Sequence, residues 1–111
     1  MPMYESDAPS NSAPVGIGLL GLGVVGSAVA SSILSAQGQQ RGLRLCAALV
    51  RDTARKRDVE IRASTLSSDP ESVLGSPDVD IVIELMGGEE PAMEYISRAL
   101  SAGKHVVTAN K

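Results

Sequence analysis

Short apolar runs alternate along this chain with stretches in which apolar residues recur every three or four positions, the signatures of buried strands and of helices. Val15 to Leu20 is the first run, and it leads directly into Gly21-Leu22-Gly23-Val24-Val25-Gly26. Beyond the glycines, apolar residues fall at Val25, Val29 and Ile33, with Ala28 and Ala36 alongside, so a strand gives way to a helix across the loop. That helix is expected to fade at Gln37-Gly38, where glycine can take the left-handed cap conformation. Leu43 to Val50 reads as a second strand, with Cys46 inside it.

A basic run, Arg51 to Arg57, follows, and Ile61 to Leu66 is expected to form a short third strand. Asp69-Pro70-Glu71 carries a helix start: a capping side chain, proline at the first helical position and an acid at the positive end of the dipole. Gly75 ends that turn. Asp78 to Met86 is the clearest strand, closed by Gly87-Gly88. Glu89-Glu90-Pro91 opens a further helix with Met93, Ile96 and Leu100 as its inward stripe, Gly103 ends it, and His105 to Thr108 is the last strand. Strands alternating with helices, over connections too long for hairpins, imply parallel pairing through right-handed crossovers. The expected fold class is therefore α/β: an incomplete doubly wound parallel sheet of about five strands in three α/β/α layers.

Residues 1–14 are rich in Ser, Pro and Ala and lack both a charged n-region and an apolar h-region, so they read as a disordered polar tail and not as a secretory signal. One domain, 15–111, remains. The whole chain is 43% hydrophobic with no Trp, no Phe and only two Tyr, which implies an aliphatic core suited to strands buried on both faces. Almost nothing is left to stack on nucleobases, and the net charge of -3 argues against a phosphate-backbone partner, so no nucleic acid is expected. Charge is nevertheless uneven: seven of the ten basic residues lie between Arg41 and Arg62, against three acids, a balance that suits a small anion. A single cysteine excludes an internal disulfide and a multi-cysteine metal site, and it fits a reducing, cytoplasmic setting. No apolar run approaches the roughly 20 residues of a membrane span, so a soluble protein is expected.

The glycine loop carries the chemistry. A GxGxxG that follows a strand, opens a helix and sits in a unit of about thirty residues has the context of a Rossmann-type dinucleotide fingerprint. Gly21 would allow the tight turn, Gly23 the approach of a pyrophosphate, and Gly26 close packing of helix on strand, with the amides of Leu22, Gly23, Val24 and Val25 facing the anion. Sites that favour NAD commonly place an acid at the end of the second strand, where it bonds the ribose 2'-hydroxyl. Arg51 stands there instead, and its guanidinium can take a 2'-phosphate in bidentate fashion. NADP(H) is thus favoured, with Arg55, Lys56 and Arg57 as auxiliary charge, while the neighbouring Asp52 leaves room for NAD(H).

Three segments together resemble the amino-terminal cofactor domain of homoserine dehydrogenases: Gly18 to Gly26, Val79 to Pro91, and Gly-Lys-His-Val-Val-Thr-Ala-Asn-Lys from Gly103 to Lys111. The resemblance covers nearly everything after the tail. It implies hydride transfer between a nicotinamide cofactor and the pair L-homoserine and L-aspartate 4-semialdehyde, a step toward threonine, methionine and isoleucine. By the same resemblance Gly87 lies near the cofactor, Thr108 sits by the nicotinamide end, and Lys111 reaches cofactor and substrate, where its ammonium stabilises a developing alkoxide or helps move the proton. A dimerisation segment and a substrate domain, present in the family, have no counterpart in these residues. Family members are accordingly expected to be homo-oligomers that acquire their small amino-acid substrate through the absent part, and this piece alone is expected to be inactive.

Fold alone leaves two further readings open, another NAD(P)-dependent dehydrogenase and a nucleotide-binding or regulatory module without catalysis. Semialdehyde dehydrogenases that form a thioester need an exposed nucleophilic cysteine, whereas Cys46 lies in an apolar strand and reads as inert core. His105, also within a strand, is expected to pack or to bond backbone and not to act in acid–base catalysis.

Overall fold

The run Val15–Leu20 forms β1 at the centre of a five-stranded sheet in the computed structural model, which describes residues 14–57, 59–86 and 91–108. The chain continues through α1 (Val24–Leu34), α2 (Ala36–Gln40) and β2 (Leu43–Leu49) to β3 (Leu66–Ser67) and α3 (Glu71–Leu74). It then crosses to β4 (Ile81–Glu84), α4 (Ala92–Ser101) and β5 (His105–Thr108). All pairings are parallel, in the order β3-β2-β1-β4-β5. The order reverses direction at β1 and β4, which creates a crevice above their carboxyl ends.

Helices cover both faces. Leu19, Ala48 and Val50 pack with Ala30 and Ile33 of α1 on one side. Leu20, Leu49 and Val82 pack with Val73 and Leu74 of α3 and Ala99 of α4 on the other. Leu19 and Leu20 are fully buried on opposite faces of one strand, each contributing about 2 kcal/mol of hydrophobic stabilisation. The three-layer doubly wound sheet and its aliphatic core match the expectation from sequence.

Local details differ. In β2 the register runs Ile17↔Leu45 and then Gly18↔Ala47, so Cys46 is an extra residue, a β-bulge. Leu43 and Leu45 consequently pack toward α1, whereas Leu49 packs toward α3 and α4. The first helix breaks at Ser35, whose backbone is extended and whose side chain accepts the Gly38 N–H (3.0 Å) to start α2. Gly38 is therefore inside a helix, where a Cβ would stand 2.3 Å from the Ile33 carbonyl oxygen, and the left-handed glycine is Gly42. The third strand is only Leu66–Ser67, preceded by a 3-10 turn at Ala63–Thr65.

The helical stripes depart from expectation in part. In α1, Ile33 is buried and Val29 packs against the core as expected, whereas Val25 is exposed and Gly26 and Ala30 join the buried face. In α4 the buried pair is Ala92 and Ala99, while Met93 and Leu100 are exposed. Small residues win because they let each helix sit closer to the sheet. The 1–13 part of the expected tail, the Gly87-Gly88-Glu89-Glu90 turn, and Ala109, Asn110 and Lys111 lie outside the described residues.

Candidate functional site

Three residues, Gly21 to Gly23, separate β1 from α1. Gly21 turns with φ of +107°, a region side chains disfavour, and its N–H donates to the Leu49 carbonyl at the end of β2 (3.0 Å). A Cβ on Gly26, in the first turn of α1, would stand 2.6 Å from the Gly21 carbonyl oxygen. A Cβ on Gly23 would meet nothing within 4 Å. The protein's own backbone thus requires Gly21 and Gly26, whereas Gly23 borders open space, the room that a closely approaching ligand needs. Gly23 caps α1 with no side-chain hydrogen bond, so the first-turn amides of Val24, Val25 and Gly26 stand at the positive end of the helix dipole without partners from the helix ladder. Leu22 is buried in the α1 face of the core and anchors the loop, while Val24 is 90% exposed.

A cleft of about 590 Å³ opens over the carboxyl ends of the strands, with Gly21, Leu22 and Gly23 along it. On the β2 and β3 side it is lined by Arg51, Asp52, Arg55, Arg57 and Ser68. Leu85, Met86, Pro91 and Tyr95 line the β4 side. A larger cavity of about 730 Å³, between Pro14, Leu43 and Ile61, lies at the opposite strand ends, where doubly wound sheets do not place their ligands.

The basic loop is ordered by its own contacts. Asp52 Oδ1 accepts the Ala54 N–H (2.9 Å), which turns that carboxylate onto its own loop. The Arg57 guanidinium donates to the carbonyls of Asp52 (2.6 Å) and Arg55 (2.7 Å), bracing the loop instead of reaching outward. Arg51 and Arg55 are exposed on the cleft, and Lys56 does not line it.

Glu84, the last residue of β4, is 0% exposed and is the one buried charged side chain among the described residues. Its Oε2 accepts the Met86 N–H (2.7 Å), and its Oε1 accepts the Thr108 hydroxyl (2.6 Å) at the end of β5. Thr108 therefore ends β5 as half of a pair, and it is not among the residues that line the cleft. Glu84, Ser68 and Tyr95 were not singled out from sequence. An acid closing the apolar run Ile81-Val82-Ile83 was the available signal for Glu84; Ser68 and Tyr95 had none.

The structure brings Gly21, Leu22, Gly23 and Arg51 to one cleft, with Val24, Val25 and Gly26 at the adjoining helix start. Gly87 and Lys111 lie outside the described residues. His105 is exposed at the first residue of β5, the end away from the crevice. Cys46 is half-buried in its bulge, and burial pushes its thiol above the ordinary range. Among the described residues no cluster of His, Cys, Asp and Glu could hold a metal ion, and no helix is long and apolar enough to cross a membrane.

A parallel sheet with the 3-2-1-4-5 strand order, a glycine loop at its reversal point and a cleft across both halves defines a domain of the Rossmann type. The family described as "Homoserine dehydrogenase, NAD binding domain" matches residues 21–111, and the chain belongs to that family. A homoserine dehydrogenase of Synechocystis is 42% identical over 100 residues, which are 87% of this chain and 23% of that protein. That of Bacillus subtilis is 46% identical over 63 residues, 57% of this chain and 14% of its own length. The crystal structure of Staphylococcus aureus homoserine dehydrogenase at pH 8.5 superposes with a TM-score of 0.81 at 37% identity, covering 91% of this chain and 27% of that one. The chain thus spans a minor part of the length of these relatives.

Proposed function

We propose that this chain is the cofactor-binding part of a homoserine dehydrogenase that interconverts L-homoserine and L-aspartate 4-semialdehyde, with NADP(H) preferred to NAD(H). The cleft at the reversal of strand order carries the reading: it joins a loop with open space at Gly23 to two exposed arginines on its β2 side. A nicotinamide dinucleotide, when bound, supplies the hydride donor or acceptor.

The chain's own part is to hold and orient that group. Amides of the loop and the first turn of α1 suit the pyrophosphate. Arg51, with Arg55 beside it on the cleft, suits a ribose 2'-phosphate. Asp52 would repel that phosphate, and its carboxylate is engaged by Ala54 within its own loop. The opposite side of the cleft, at the ends of β4 and β5, is left for the nicotinamide half. Likeness to the family assigns Gly87 a close approach to the cofactor. The same likeness gives Lys111, three residues beyond Thr108 in sequence, the stabilisation of the substrate alkoxide or the transfer of its proton. Groups that hold homoserine, and contacts between subunits, are assigned to the parts of the relatives that this chain does not span.

Calorimetric titration with NADPH and NADH tests the reading, and tighter binding of NADPH is expected. Equal or reversed affinities would remove the NADP preference, and absence of binding by either would remove the dinucleotide site.

A further inference from the structure

Three consecutive polar residues, Ser67, Ser68 and Asp69, lead from β3 toward α3, and the fold engages the side chains of two of them. The Ser67 hydroxyl oxygen accepts the Asp69 N–H (3.0 Å), and Asp69 Oδ1 accepts the Glu71 N–H (3.0 Å) at the start of α3. Ser68 is exposed, and its hydroxyl has no hydrogen-bond partner among the described residues. Of the three, Ser68 alone lines the cleft. Strand pairing puts it there: Leu49 is in register with Ser67, and the Val50 N–H donates to the Ser67 carbonyl (2.8 Å). Ser68 therefore emerges beside the end of β2, where Arg51 begins the basic loop. Arg51 and Arg55 are exposed on that same side of the cleft, whereas Arg57 is spent on the carbonyls of Asp52 and Arg55 and the Asp52 carboxylate is turned onto the Ala54 N–H. Guanidinium groups donate and do not accept, so a ligand group that satisfies both free arginines is an acceptor, and the Ser68 hydroxyl meets that group as a further donor.

We propose that Ser68 donates its hydroxyl to the ribose 2'-phosphate of NADP(H) and is a specificity-determining residue of the cleft, an assignment that rests on the NADP(H) reading of that cleft. The end of β3 then shares, through one exposed side chain, a subsite that otherwise belongs to β2 and its loop. NAD(H) carries a single uncharged oxygen where NADP(H) carries a phosphate, so a hydrogen bond from Ser68 is charge-assisted with one cofactor and not with the other. Ser68 acts by contact with the ligand and not through the fold, because neither β3 nor the start of α3 uses its side chain.

The test titrates NADPH and NADH into the 111-residue chain and three variants at position 68. Ser68→Ala is expected to weaken NADPH about three- to tenfold and NADH by less than about twofold. Ser68→Thr keeps the hydroxyl and is expected to retain the affinity for NADPH. Ser68→Asp sets a negative charge against the phosphate and is expected to weaken NADPH at least roughly tenfold, again with NADH little changed. Thermal unfolding midpoints of all three are expected to match wild type, since the side chain is exposed. Equal losses for both cofactors in Ser68→Ala would put the residue on the adenosine that they share and overturn the assignment, as would an alanine variant that binds NADPH as wild type does. Either result leaves the NADP(H) reading standing if the wild-type chain still prefers NADPH. Wild-type protein with no such preference overturns that reading and this assignment with it, and binding of neither cofactor removes the dinucleotide site altogether.

Discussion

Gly26 and Gly21 constrain each other: a Cβ on the first would stand 2.6 Å from the carbonyl oxygen of the second. No such neighbour faces Gly23. The outer two glycines of the loop therefore serve the fold, and the middle one borders open space. Gly26→Ala is expected to cost about 1–3 kcal/mol of stability through backbone overpacking. Gly23→Ala should leave stability within about 0.5 kcal/mol and weaken NADPH binding at least roughly tenfold by intruding on the phosphate approach. Thermal unfolding and a fluorescence titration on both variants separate the roles, and equal stability losses would show that the loop is structural throughout.

Arg51 and Asp52 are adjacent, but only Arg51 faces the cleft with its charge uncommitted to the loop's own backbone. Arg51→Glu is expected to weaken NADP about ten- to hundredfold, through loss of a charge-assisted contact and gain of a repulsive one, with a much smaller effect on NAD. Calorimetry on both cofactors measures the ratio. A parallel loss for NAD and NADP would place Arg51 outside the 2'-phosphate site.

What the sequence disclosed and what it concealed divide along physical lines. The order of strands and helices was legible because each element carries its own period or cap, as at Gly21 to Gly26 and at Asp69-Pro70-Glu71. Which face a residue takes was less so. The bulge at Cys46 shifts the phase of β2, so Leu43 and Leu49, six residues apart and even in spacing, end on opposite faces. In α1 the expected Ile33 is buried but Val25 is not, and in α4 Met93 and Leu100 are exposed while Ala99 is fully buried, because backbone proximity to the sheet outweighs side-chain size. The place of Arg51 on the cleft was legible from its distance to the glycines. Glu84 was not, since its importance lies in a partner twenty-four residues away, across a strand pairing that no local pattern encodes.

Lys104 joins the start of β5 to the segment before β4. Its ammonium donates to the carbonyls of Ser76 (2.6 Å) and Val79 (2.8 Å). Lys104→Met keeps the apolar stem and removes both donors, which should cost about 1–3 kcal/mol and lower the melting temperature. Arg98, paired with Glu71 at the surface, gives a contrast in the same region. Arg98→Ala is expected to shift the melting temperature less, because an exposed pair is screened by solvent. Equal shifts for the two variants would deny Lys104 its special place.

Cys46 offers a test of the bulge by pH. Burial raises its thiol, with Arg44 and a backbone hydrogen bond from Ile17 opposing, and Asp78 and Asp80 adding to the rise. The folded chain therefore holds this proton more tightly than the unfolded chain does. The resulting stabilisation is complete below the unfolded thiol's range, about pH 8.5, and is lost as pH rises through the higher folded value. Urea midpoints should fall across that alkaline window, and Cys46→Ala should flatten this part of the profile while leaving the neutral region close to wild type. The same burial predicts slow modification by a thiol reagent at neutral pH in the native chain and fast modification in urea, because the thiolate is the reacting form. A native thiol that reacts as fast as the unfolded one, or an alanine variant whose stability declines just as steeply with alkalinity, would mean that the bulge leaves Cys46 open to solvent.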